Sequence, residues 1–195
     1  MNAHGEFSGE PQTAWLTEPG PDRRMRLLAG FWFDDPAGKR WDAPGGYDKM
    51  DGASIPRALW SLIGSPYTGD YRRASIVHDY ACDQVGKDSA KRRAADHMFF
   101  HACMAGGCSW EFAMVLYIGV RIGAWMDQVP AWKGAHVAGD DTYRLVHDAN
   151  EQRIQADYRQ IAQRALAQGE TENPDEVERR VMEATTHVLG RNLSY

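Results

Sequence analysis

The stretch Ala74-Ser75-Ile76-Val77-His78-Asp79-Tyr80-Ala81-Cys82, followed by Arg93-Ala94-Ala95-Asp96-His97-Met98-Phe99, decides how this chain is read. A His-Asp pair sits inside an apolar run of helical character, and a second aspartate falls on the helix that should follow. Neighbouring residues on a helix diverge by about 100°, so His78 and Asp79 face different ways and serve different tasks. Asp96 comes 18 residues after His78, beyond a short connection. On an antiparallel helix, that is where a carboxylate fixes an imidazole tautomer and stabilises its protonated form, as in a general-base dyad. Asp79 is then left to hold a cation or a substrate group. The same residues allow a plainer reading, a buried His-Asp hydrogen bond that fixes the fold, because an unpaired polar group among Ile76, Val77 and Ala81 is expensive.

Helix signals extend in both directions from this pair. Thr68 or Asp70 can cap the first helix and Gly86 stops it. Asp88 or Ser89 caps the next, which runs to Gly106-Gly107 with Ala95, Met98, Phe99 and Ala102 in one stripe. Another begins near Ser109, has Glu111 in its first turn and ends before Pro130. It is apolar on nearly every face, which places it in the middle of a bundle. Upstream, Pro56 suits the first turn of a short helix running through Ile63, with Ser54 or Ile55 at its cap. Beyond a linker at 130–139, two helices are predicted over about 141–168 and 174–190. The second opens on Asn173-Pro174-Asp175-Glu176: a cap, a proline at the first helical position and a capping-box glutamate.

Residues 1–13 are polar and hold Gly and Pro, which predicts a poorly ordered tail. From Ala14 to Asp48, the short apolar runs Ala14-Trp15-Leu16, Met25 to Phe33 and Lys39-Arg40-Trp41 are separated by Glu18-Pro19-Gly20-Pro21 and Asp34-Asp35-Pro36-Ala37-Gly38. That punctuation predicts two or three antiparallel strands. The expected fold class is α+β, mainly α: a small N-terminal antiparallel sheet on a helical bundle, with a C-terminal helical extension. The core domain is expected over 14–130, with its sheet at 14–48 and helices at 54–128, and the helical pair over 140–195.

The net charge of -5 over 195 residues argues against a general nucleic-acid binder. Lys91-Arg92-Arg93 reads as a solvated helix start. Cys82, Cys103 and Cys108 form neither an even disulfide set nor a metal-spaced array; in apolar helical context they read as small hydrophobes in a reducing compartment. Met114 to Met126 is too short for a membrane span and holds Arg121. The N-terminus lacks the pattern of a signal peptide.

Further candidates lie outside the His-Asp stretch. Asp51-Gly52-Ala53-Ser54-Ile55-Pro56-Arg57 can supply a carboxylate, carbonyl oxygens and backbone amides, the parts of a calcium or anion site, or can simply cap a helix. Asp51 and Asp79 are the expected metal ligands, for Ca2+; Ser54, Arg57 and Arg121 are expected to support substrate or structure. Arg121, on so apolar a helix, needs a carboxylate such as Asp51, Asp79 or Asp96. His97 and His101 have the i, i+4 spacing of a zinc pair, but no glutamate stands between them and no third ligand is evident; they read as packing residues. His147-Asp148 repeats the dipeptide in a polar helix by chance. No organic cofactor is expected.

Ala43-Pro44-Gly45-Gly46-Tyr47, Asp51 to Trp60, Ala74 to Tyr80, Arg93 to Phe99 and Tyr117-Ile118-Gly119-Val120-Arg121 occur in that order. Together they resemble a domain family of unknown function found mostly in bacteriophages and prophages. The resemblance covers roughly residues 25–127 and leaves the last 65 or so outside. It implies a phage or prophage setting, in the cytoplasm of the bacterial host or on the virion, with no established activity. His-Asp on one helix and Asp-x-x-Phe on an antiparallel one also look like phospholipase A2, especially its small bacterial forms. That likeness implies His78 as the base activating water, Asp96 as its orienting carboxylate and Asp79 as a calcium ligand. The chain departs from it in lacking the glycine-rich calcium loop, for which Asp51 to Arg57 is the stand-in, and the flanking disulfide cysteines.

An HD-type phosphohydrolase is set aside, since His4 is the one histidine upstream of His78. The expected function is a metal-assisted hydrolase with a His78–Asp96 dyad, acting on a cell-envelope ester or amide. The alternative is a non-catalytic virion or tail-assembly protein whose polar cluster fixes the fold. Its partners would be envelope components or virion proteins, or a second copy through the C-terminal helices.

Overall fold

Short alternating runs broken by Gly and Pro form strands here, and the longer runs of helical period form helices. A computed structural model describes residues 3–16, 24–50, 52–65, 68–86, 88–132 and 141–193, apart from the side chains of 141–148. The class is the expected one, α+β and mainly α. The chain divides into two compact units, Met1–Ser54 with Ser65–Ser109, and Ile55–Gly64 with Trp110–Tyr195.

The first unit holds strands β1 (Glu6–Phe7), β2 (Thr13–Trp15), β3 (Met25–Leu27), β4 (Phe31–Asp34) and β5 (Arg40–Ala43). An antiparallel sheet runs β1-β4-β5, and β2 pairs with β3. Alternation sets the faces: Phe31 and Phe33 of β4 are buried, as are Met25 and Leu27 of β3, while Arg26 is exposed. Phe7 lies 4.8 Å from the Phe33 ring and 5.7 Å from that of Phe31.

Two expectations for this region need correction. The stretch read as a tail supplies β1, because Phe7 completes the aromatic cluster. Gly5 makes this possible with φ +108°, where a Cβ would stand 2.3 Å from the Asp34 carbonyl. Met25 to Phe33 is two strands rather than one, broken at Ala29-Gly30. Leu27 turns its backbone to the 46–47 segment instead, donating to Tyr47 O and accepting from Gly46 N, each at 2.7 Å.

The same unit contains α2 (Arg72–Val85) and α3 (Ser89–Ala105); the second unit holds α1 (Trp60–Ile63), α4 (Trp110–Trp125), α5 (Asp141–Leu166) and α6 (Pro174–Leu189). Asp88 caps α3, accepting from Lys91 N at 3.1 Å. Tyr71 is the N-cap of α2 and no side-chain cap hydrogen bond forms, so neither Thr68 nor Asp70 has the expected role. The two helices pack on each other, with β5 and β4 against α2 and β1 against α3. Gly106 permits their close approach: a Cβ there would meet the Asp70 carbonyl at 2.3 Å.

In the second unit the expected helix from 54 to 63 is a 3-10 turn, Arg57–Leu59, followed by the single turn α1. Ser54 does not cap it; its φ of 58° is left-handed. Helix α4 is buried along most of its length. Helix α5 is tied to it by Tyr158 Oη donating to Val115 O at 3.1 Å, and to the 3-10 turn by Gln155 Nε2 donating to Ala58 O at 2.8 Å. Val177, Val181 and Ala184 form the buried stripe of α6. Asn173 Oδ1 caps α6, but the capping box stays half-formed: Glu176 turns to Arg179 and Arg180, and Asn173 N–H donates to Thr171 Oγ1. Among the described residues, no helix is long and apolar enough to cross a membrane.

Two outcomes follow from these contacts. Gly5→Ala lowers stability by about 1–3 kcal/mol in urea titration, since the residue must adopt a left-handed backbone against Asp34; unchanged stability would detach β1 from the sheet. Hydrogen bonds from Arg179 and then Arg180 hold the Glu176 carboxyl down at about 2, against 4.5 unperturbed. The stability this gives is present above pH 4.5 and is lost as pH falls through 2. NMR titration should find Glu176 near 2, rising toward 4.5 in Arg179→Ala.

Candidate functional site

Helices α2 and α3 bring His78 and Asp96 together: Nε2 of His78 lies 2.8 Å from Oδ1 of Asp96, and both side chains have 0% exposure. The same Oδ1 accepts from Arg92 Nε at 3.1 Å, one turn earlier on α3. Burial works against the Arg92 charge, but Asp96, Cys82 and Asp79 together hold the guanidinium pKa above its ordinary value. Cys82, one turn after His78, places Sγ 3.4 Å from Nε2 and 3.7 Å from Nδ1. The Phe99 ring closes the apolar side at 4.8 Å.

A cavity of about 500 Å³ lies beside this cluster, lined by Arg24, Tyr47, Lys49, Ser54, Asp79, Cys82, Asp83 and Arg92. Cys82 and Arg92 thus touch the buried pair on one side and the cavity on the other. Lys49 Nζ donates to both oxygens of Asp83 at 3.0 Å. Oδ2 of Asp79 accepts from Gly52 N at 3.1 Å. That bond anchors a turn in which Gly52, Ala53 and Ser54 have φ of 106°, 63° and 58°. A left-handed backbone costs a non-glycine residue roughly 1–2 kcal/mol, so Ala53 and Ser54 need such an anchor.

The sequence candidates therefore fall in different places. His78 and Asp96 meet; Asp79 and Ser54 line the cavity in front of them; Asp51 lies outside the described residues. Arg57 is exposed, with its guanidinium 5.4 Å from the Trp60 ring centroid, and belongs to the second unit. Arg121 also belongs to the second unit, buried with its guanidinium 4.3 Å from the Trp125 ring. Asp96 accepts from the guanidinium of Arg92. His97 and His101 are half-buried on α3. The side chains of His147 and Asp148 lie outside the described set.

Two residues here were misread from sequence. Arg92 belongs to a charge run read as solvated, yet it turns inward between exposed Lys91 and Arg93. Its signal was the i, i+4 spacing to Asp96. Cys82 was read as a small hydrophobe, but its i, i+4 spacing to His78 puts the thiol at the cavity wall. Cys103 and Cys108 fit the hydrophobe reading: both are buried, burial pushes the Cys103 thiol up, and the hydrogen bond between them holds Cys108 down. None of the three cysteines forms a disulfide.

Residues 25–120 match the model of a family described as a protein of unknown function, DUF1353. The uncharacterized protein y4jT of Sinorhizobium fredii is 36% identical over 118 residues, which is 60% of this chain and 33% of that protein. The uncharacterized protein y4iH of the same organism is 31% identical over 102 residues, 52% of this chain and 41% of that protein. The chain thus spans about a third to two fifths of the length of these relatives. No solved structure matches it. The matched stretch contains His78, Asp79, Cys82, Arg92 and Asp96.

Asp96→Asn should lower stability by roughly 1–3 kcal/mol in urea titration, because it removes the charge facing half-buried Arg92 and the charged acceptor of buried His78. Asp79→Ala should cost about 1–3 kcal/mol and speed hydrogen exchange at the Gly52 amide. A protected Gly52 in that variant would contradict the anchoring role.

Proposed function

We propose that the first unit carries a hydrolase centre, built on His78 and Asp96, that cleaves an ester or amide of the cell envelope in a phage or prophage setting. One observation carries this reading: the 2.8 Å His78–Asp96 contact lies directly behind the wall of a polar cavity. Buried carboxylate and imidazole groups are costly to keep, and this pair is kept beside a space large enough for a substrate group.

The arrangement shares with phospholipase A2 a histidine and its aspartate on two packed helices. With Nε2–H donating to Asp96, Nδ1 is the nitrogen that takes a proton from water entering past Cys82. The water oxygen then bonds to the carbonyl carbon, and the proton passes from Nδ1 to the leaving group as the ester or amide bond breaks. Asp96 stabilises the imidazolium between these steps. In this reading Asp79, with Asp51, holds a Ca2+ ion at the cavity and Ser54 faces the substrate. Arg24 adds positive charge suited to an anionic headgroup, while Lys49 is paired with Asp83.

A second reading rests on the burial itself. His78 and Asp96 have no exposure and Arg92 completes an ion pair with them, which suits a fold-fixing network in a virion or tail-assembly protein. Its C-terminal helices would then bind a neighbouring subunit.

Turnover by the full chain on phosphatidylglycerol vesicles and on peptidoglycan fragments, with and without Ca2+, separates the two. The hydrolase reading expects a rate that falls about 10²–10⁴-fold in folded His78→Gln. No turnover on either substrate, or an unchanged rate in that variant, supports the fold-fixing reading instead.

A further inference from the structure

The positions of three donor atoms point to a role that a simple dyad does not explain. In a relay of cysteine, histidine and aspartate, the two imidazole nitrogens face different partners. Here the Cys82 sulfur stands beside the ring, 3.4 Å from Nε2 and 3.7 Å from Nδ1, while Nε2 is 2.8 Å from Asp96 Oδ1. The sulfur lies on the lone-pair axis of neither nitrogen, and rotation of the Cys82 side chain brings it toward an ion held between Nε2 and the carboxylate. The three ligand atoms lie within 4.8 Å of one another.

We infer that His78, Cys82 and Asp96 form a binding site for a thiophilic divalent metal ion of the zinc type. Zinc binds His nitrogen and carboxylate oxygen at about 2.0–2.2 Å and thiolate sulfur at about 2.3 Å, so neighbouring donors in a tetrahedral site stand roughly 3.3–3.6 Å apart. The His78–Cys82 distance already has that value, and the His78–Asp96 distance needs to open by about half an ångström. On binding, the thiol proton of Cys82 leaves for solvent and the imidazole proton moves from Nε2 to Nδ1. The thiolate and the Asp96 carboxylate then offset the ion's two charges, and Arg92 leaves the loaded cluster with one positive charge. Arg92 Nε, 3.1 Å from Asp96 Oδ1, holds that ligand in place from behind, as supporting groups around metal ligands do.

Access comes through Cys82, which is half-buried and lines the cavity. Three protein donors leave a fourth tetrahedral position for water or substrate, the pattern of catalytic zinc sites. The inference deepens the proposed hydrolase by changing the source of the nucleophile from base-activated water to ion-bound water. The ion site itself stands or falls separately from turnover.

Cobalt(II) titration of the chelator-stripped full chain tests it, because a thiolate–cobalt bond gives a charge-transfer band near the ultraviolet. One equivalent should bind with that band, and Zn2+ should displace it. Cys82→Ser, at a half-buried position that need not disturb folding, should abolish the band and weaken zinc binding by more than about 100-fold. Cys108→Ser should leave both unchanged. No stoichiometric binding, or binding unaffected by Cys82→Ser, overturns the site, and so does loss of the band in Cys108→Ser alone. Ion binding without turnover removes the hydrolase reading alone; turnover by the stripped chain with no cobalt bound removes the ion site alone.

Discussion

One carboxylate oxygen, Asp96 Oδ1, receives both His78 and Arg92 in a place with no solvent exposure for the histidine or the aspartate. Removing such groups from water is costly unless each finds its partner. That constraint sets the geometry of the helix pair: α2 must present His78, and α3 must present Asp96 one turn after Arg92, at matching heights. Gly106 against Asp70 allows the backbones to come close, and β4 and β5 pack on α2 and β1 on α3. Asp79, turned away from this contact by the helical period, is used in front of it to hold the strained turn at Gly52–Ser54.

Much of this arrangement is legible in the residues. The helical spacing around His78, the stop at Gly86 and the cap at Asp88 are local signals, and local signals place two helices side by side. The contact between His78 and Asp96 follows from them. The α6 start at Asn173-Pro174 is equally local. Strand β1 was hidden because two residues carry no period; its place depends on Phe7 meeting Phe31 and Phe33 across the sheet. The turn at 52–54 was hidden because left-handed Ala53 and Ser54 have no sequence signature, their conformation being imposed by Asp79 far along the chain. Arg121 was expected to need a carboxylate such as Asp51, Asp79 or Asp96; its contact with the Trp125 ring in the second unit had no local signal. Arg92 and Cys82 were misread for one reason: composition describes a neighbourhood on average, while a helix turn selects single positions from it.

These two residues alter what the site can do. A histidine–aspartate pair alone and sealed would be a structural feature. With Arg92 behind the aspartate and a thiol between histidine and cavity, the cluster becomes a set of hard and soft donors with a route to solvent.

The convergence of His78, Cys82 and Asp96 on one point is the central claim, and anomalous diffraction from crystals grown with zinc tests it most directly. Data collected on either side of the zinc absorption edge should show a peak between Nε2 of His78, Sγ of Cys82 and a carboxylate oxygen of Asp96. A fully occupied peak elsewhere, or none within bonding distance of these three atoms, would contradict it.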